Sequence, residues 1–122
     1  MKRTHLLFTI PAMILAALMF NGSPALAGSN EPGTHRDRVL ANTTDVYHVF
    51  FYGRERGEVI VDGSSRTDLD LYIYDPNGNL VDSDTDDTSY CIGSFYAPRP
   101  GVYTIKIVNL GDVGNTYDLW TN

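Results

Sequence analysis

A chain of 122 residues, 20% charged and 43% hydrophobic, has room for one domain of ordinary size and not for two. The charge is uneven: residues 1–27 carry Lys2 and Arg3 and no acid, whereas residues 28–122 hold seven basic against fifteen acidic side chains, a net of −8. An acidic stretch whose only lysine is Lys106 excludes a phosphate-binding nucleic-acid module, and a lone cysteine, Cys91, excludes a disulfide scaffold.

Residues 1–27 read as a secretory signal peptide. Met1-Lys2-Arg3 is a positive start, and Leu6 to Phe20 is an apolar run interrupted by Thr9 and Pro11. Asn21-Gly22-Ser23-Pro24 breaks it before the small-residue site Ala25-Leu26-Ala27, where cleavage is expected. The run is short and proline-broken for a spanning helix, and Gly28 stands where a lipoprotein needs cysteine. The expected product is secreted or periplasmic, with no membrane attachment after cleavage.

Residues 28–44 carry turn formers and no apolar periodicity, which predicts a flexible N-terminal arm. From residue 45 to 122 the pattern has period two. Val46 to Tyr52 is aromatic and β-branched, Gly53-Arg54-Glu55-Arg56-Gly57 turns, and Glu58 to Asp62 returns. Leu69, Leu71 and Ile73 alternate with Asp70, Tyr72 and Tyr74. Asp75-Pro76-Asn77-Gly78 has the residues of a type I turn, and Asn79 to Val81 starts the next strand. Asp82 to Thr88 reads as a polar loop, Tyr90 to Tyr96 as a strand, and Tyr103, Ile105 and Ile107 as one face of another. Tyr117 and Leu119 mark the last strand, which ends in Trp120. No stretch has helical period. Seven to eight short strands predict an all-β, antiparallel, jelly-roll-like β-sandwich, with a closed barrel as the alternative. Most of the twelve aromatic residues beyond position 27 are expected in its core.

Two stretches carry a family resemblance. Asp68-Leu69-Asp70-Leu71-Tyr72-Ile73-Tyr74-Asp75-Pro76-Asn77-Gly78-Asn79-Leu80-Val81 is similar to the strand-turn-strand of bacterial pre-peptidase C-terminal (PPC) domains. Pro98-Arg99-Pro100-Gly101-Val102-Tyr103-Thr104-Ile105-Lys106-Ile107 resembles that family's later Pro-Gly-x-Tyr strand, and Asp45-Val46-Tyr47 fits its opening strand. The resemblance spans about residues 42–121. It implies a jelly-roll-like sandwich that accompanies secreted peptidases; related domains of the collagenase branch bind calcium and collagen. Here no peptidase precedes the domain, so a stand-alone binding, targeting or assembly module is expected, with a secreted peptidase, another protein or an extracellular polymer as partner.

Asp82-Ser83-Asp84-Thr85-Asp86-Asp87 spaces carboxylates as the start of an EF-hand does, yet Asp87 and Gly93 stand where that loop needs Gly and Glu. The two readings are a sandwich-loop Ca²⁺ site, in which Asp68, Asp70 and Asp75 join Asp82, Asp84, Asp86 and Asp87, and a solvated acidic loop. Tyr72 and Tyr74, opposed in parity to Leu69, Leu71 and Ile73, are the expected contact residues of a binding face. Cys91 is expected as a small buried hydrophobe, Trp120 as packed against the sandwich, and Arg54-Glu55-Arg56 as a solvated turn with self-paired charges. His35 and His48 are the only histidines after residue 27, and no serine lies in a nucleophile elbow. The function expected is therefore a non-catalytic binding or targeting module. A structural protein without a ligand and a small secreted hydrolase are the alternatives.

Overall fold

The computed structural model describes residues 31–64 and 66–122; the signal segment lies outside the described residues. Eight strands follow one another: β1 (Gly33–Val39), β2 (Thr44–Phe51), β3 (Glu55–Gly63), β4 (Leu69–Tyr74), β5 (Leu80–Asp84), β6 (Tyr90–Ala97), β7 (Gly101–Asn109) and β8 (Asn115–Thr121). They form two four-stranded antiparallel sheets, ordered β1-β8-β3-β6 and β2-β7-β4-β5. The sandwich predicted from period-two alternation is the observed fold, and the two sheets are open rather than closed into a barrel.

Alternation decides what each strand buries. Val59 and Val61 on β3, Leu69, Leu71 and Ile73 on β4, Ile105 and Ile107 on β7, and Leu119 on β8 are all wholly enclosed between the sheets. Phe51, Phe95 and Tyr103 add an aromatic group, with centroids 5.0 Å apart for Phe51–Phe95 and 4.4 Å for Phe95–Tyr103. Gly57 on β3 makes room for that group, since a Cβ there would fall 2.3 Å from Phe95 Cζ. Of the twelve aromatics, only Tyr47, Phe51, Phe95, Tyr103 and Tyr117 are buried, fewer than composition suggested. The others lie on outward positions, where a small sandwich has more surface than polar residues to cover it.

A buried polar chain links the sheets. Tyr47 Oη of β2 lies 2.6 Å from Tyr117 Oη of β8, and Tyr117 Oη donates to Asp45 Oδ2 at 2.7 Å. Burial, then the proximity of Tyr47 and Asp45, pushes the Tyr117 hydroxyl far up from its ordinary value, so it stays a donor.

Two expectations are corrected here. Residues 33–39 are not part of a free arm: β1 pairs along its length with β8, from Gly33 opposite Thr121 to Val39 opposite Asn115. Its outward positions are Thr34, Arg36 and Arg38, and its inward ones include His35 and Asp37 before Val39, so an edge strand rich in charge shows no apolar alternation. The acidic stretch 82–88 is also not wholly a loop, because Asp82 to Asp84 belong to β5.

Candidate functional site

Tyr72 and Tyr74 stand on the outer face of the β2-β7-β4-β5 sheet because Leu71 and Ile73 take the inner positions. The register sets Tyr72 beside Lys106 of β7, and Lys106 beside Val46 of β2. Lys106 Nζ lies 5.1 Å from the Tyr74 ring centroid, a cation–π contact. These residues, with Val108 and with Asn42, Thr43 and Thr44, line an open groove of about 600 Å³. Both tyrosines are half-buried. The sequence named the tyrosines; it did not name Lys106, Val46 and Val108, which only the strand order brings alongside them.

The corner beside Asn42 is held largely by one side chain. Asn109 Nδ2 donates to the carbonyls of Val39, Leu40 and Val113, at 3.3, 3.2 and 2.9 Å. Its Oδ1 accepts from Gly111 N at 2.9 Å and Thr67 Oγ1 at 2.7 Å. Asn42, at φ 54°, donates from its backbone to Gly111 O at 3.0 Å. Left-handed backbone suits asparagine better than other non-glycine residues, which fits this corner to its sequence.

The seven aspartates do not form one set. Asp75 lies beyond the far end of β4 and organises its turn: Oδ1 accepts from Asn77 N and Asn79 N, each at 2.9 Å. These backbone donors, Asn79 first, pull its carboxyl below the ordinary range. Asp82 Oδ2 accepts from Ser94 N at 2.8 Å, and Asp84 Oδ2 from Ile92 N at 2.9 Å. Both therefore bridge β5 to β6, across the gap between the two sheets. Asp68, Asp70, Asp86 and Asp87 remain at the acidic end. Burial, then the charges of Asp87 and Asp86, raises Asp68; burial, then Asp68, raises Asp70. The Oδ1 atoms of Asp68 and Asp70 are buried without a hydrogen-bond partner.

Among the described residues no three His, Cys, Asp or Glu side chains converge to hold a metal ion. A groove beside Asp62, Asp68, Asp87 and Tyr90 is open to solvent and carries Arg66 on its rim.

Reactive groups are equally dispersed. Cys91 is fully buried, as the sequence led one to expect; its Sγ donates to Leu69 O at 3.1 Å. Burial, then the charges of Asp84 and Asp86, pushes the thiol up to about 12, far from a nucleophile's range. His48 Nδ1 lies 3.2 Å from Thr104 Oγ1 on the outer face. His35, on β1, stacks toward Tyr47 at 6.5 Å. The turn charges do not pair with one another as expected. Arg54 is at φ 62° with its N donating to Ala97 O, and Arg56 Nη2 donates to Ser94 Oγ at 2.9 Å. Trp120 is not packed inside: β8 alternation sends Leu119 inward and leaves Trp120 on the solvent side, 37% exposed.

The architecture has known counterparts. The chain is similar to the pre-peptidase C-terminal domain of collagenase from Bacillus anthracis, with 15% identity and a TM-score of 0.64 over 78% of this chain and 95% of that one. It is also similar in fold to Aeromonas hydrophila PliG, a periplasmic lysozyme inhibitor of g-type lysozyme, with 9% identity and a TM-score of 0.50 over 99% of this chain and 96% of that one. Residues 42–109, from the Asn42 corner through β7, match the bacterial pre-peptidase C-terminal domain family. The two motifs quoted from the sequence, the first through β4 and its turn and the second through β7, lie inside that span, and the chain belongs to this family.

Proposed function

We propose that the chain is a non-catalytic, exported module that binds a partner through the Tyr72–Tyr74–Lys106 groove. The observation that carries this reading is the division of labour on β4: Leu69, Leu71 and Ile73 fill the core, which leaves Tyr72 and Tyr74 free to line an open groove. Half-buried rings beside a cation suit contact with a polypeptide or polymer, because each ring offers apolar surface and a polar tip at little entropic cost. The partner is a secreted peptidase, another secreted protein or an extracellular polymer. Membership of a peptidase-associated family supports this class.

Export rests on residues 1–27, and N-terminal sequencing of the protein recovered outside the cytoplasm should begin at Gly28. Binding is tested by co-sedimentation with insoluble collagen and with peptidoglycan, and by mixing with a co-secreted peptidase. Replacing both Tyr72 and Tyr74 by Ala should weaken retention at least about tenfold, about 1.4 kcal/mol, at unchanged melting temperature. Retention that survives both substitutions would remove the groove from the reading. Calcium at the acidic end is tested separately: a melting temperature raised by millimolar Ca²⁺ and returned by chelator supports a cation there, and an unchanged melting curve removes it.

A further inference from the structure

The solvent face of the other sheet carries a second apolar feature. Strand β6 is apolar on both sides: Cys91, Phe95 and Ala97 point inward, while Tyr90, Ile92 and Tyr96 point outward. The register places Ile92 opposite Ile60 of β3, and Ile60 opposite Trp120 of β8. Three large apolar side chains thus form a row across three neighbouring strands, with Tyr90 next to it along β6 and Tyr96 farther along the same face, beyond Ser94. Ile92 is 44% exposed, Trp120 37%, Tyr90 47% and Tyr96 64%. Apolar and aromatic residues of this kind are what protein interfaces gather at their centres.

The charges next to the row are negative. Glu58 and Asp62 precede and follow Ile60 by two positions on β3, so they share its face about 7 Å to either side. Among the described residues neither has an ion pair. Arg36 is taken by Asp118, at 2.8 Å; Arg56, opposite Tyr96, donates to Ser94 and stays cationic, but lies about 13 Å from Ile60 along β3. A second copy of this chain fits poorly. A two-fold axis along the strands through Ile60 sets Glu58 against Glu58 and Asp62 against Asp62, and an axis across the strands sets Glu58 against Asp62. Like charges directly opposed are repulsive. The net charge of −6 also steers cationic partners toward the chain.

We propose that the Ile92–Ile60–Trp120 row is a docking surface for a different protein, one that presents apolar side chains flanked by Lys or Arg. It lies on the opposite sheet from Tyr72 and Tyr74 and is independent of the groove.

The probe is a synthetic nine-residue peptide alternating Lys and Leu around a central Trp, with its Glu counterpart as control, titrated against the whole chain by fluorescence anisotropy in 0.15 M NaCl. The Lys peptide should bind and the Glu peptide should not. Trp120→Ala and Ile92→Ser, both at exposed positions and checked by melting temperature, should each weaken binding at least about tenfold. Tyr72→Ala and the Asp86→Asn/Asp87→Asn pair should leave it unchanged. If binding follows Asp86 and Asp87 and ignores Trp120, the acidic loop is only collecting cations and the proposal fails. Equal binding of the Glu peptide also overturns it. So does a dimer of the chain alone that Trp120→Ala dissolves in sedimentation, because the row would then belong to a second copy.

Discussion

Asp70 and Asp75 are five positions apart on β4 and its turn, and they meet opposite surroundings. Asp75 accepts backbone and side-chain donors from Asn77 and Asn79, while Asp70 accepts from Tyr72 and faces burial, Asp68, Asp84 and Asp86. Their effects on stability run in opposite senses. Asp75, lowered, contributes stability above the ordinary value of about 3.9 and loses it as pH falls through its folded value. Asp68 and Asp70, raised, hold protons more tightly in the folded chain; their contribution is full below about 3.9 and is lost as pH rises through the folded values. At neutral pH the pair therefore weakens the fold. Replacing Asp70 by Asn should raise the melting temperature at pH 7 by roughly 2–6 °C, and the gain should vanish at pH 3, where the aspartate is itself protonated. A melting temperature that falls at pH 7 would show that the charge of Asp70 is compensated in the folded chain.

At the scale of strands, the β5/β6 side of the sandwich is closed by side chains. β6 ends its sheet, and its outward-pointing amides at Ile92 and Ser94 are met by Asp84 and Asp82. An edge strand left open pairs with other chains, and carboxylates on its amides prevent that. Replacing Asp82 and Asp84 by Ala should cost about 1–3 kcal/mol. It should also turn a clear solution turbid on standing, read by light scattering; a variant that stays clear and equally stable would show the edge is protected otherwise. This is where the sequence and the structure differ most usefully. The turn at Asp75 was legible, because its donors lie two and four residues away. The parity of β4 was legible because apolar and polar positions alternate cleanly. The role of Asp82 and Asp84 was not, since their partners lie eight to twelve residues on, in the other sheet. β1 stayed hidden for the same reason: its partner is β8, some eighty residues away, and its inward face is polar.

For the molecule as a whole, the two outer faces are of different kinds. One bears Tyr72, Tyr74 and the only lysine among the described residues, and the other bears an isoleucine and tryptophan row between acids. The sheets behind them share one core, so a core substitution should disturb both faces, whereas a surface substitution should disturb one. Within that core Cys91 contacts Leu69 and is closed to solvent. An alkylating reagent can reach it only when the sandwich opens, so the labelling rate under native conditions measures opening. We expect labelling of the folded chain to be at least about a thousandfold slower than in denaturant, the lower end of the usual folded-to-unfolded ratio; rapid labelling would place the thiol in a locally mobile part of β6. In an oxidising compartment the same enclosure acts as a timer. Two chains can join through Cys91 only before the sheets close or while they reopen, so any disulfide-linked dimer records the time the sandwich has spent open.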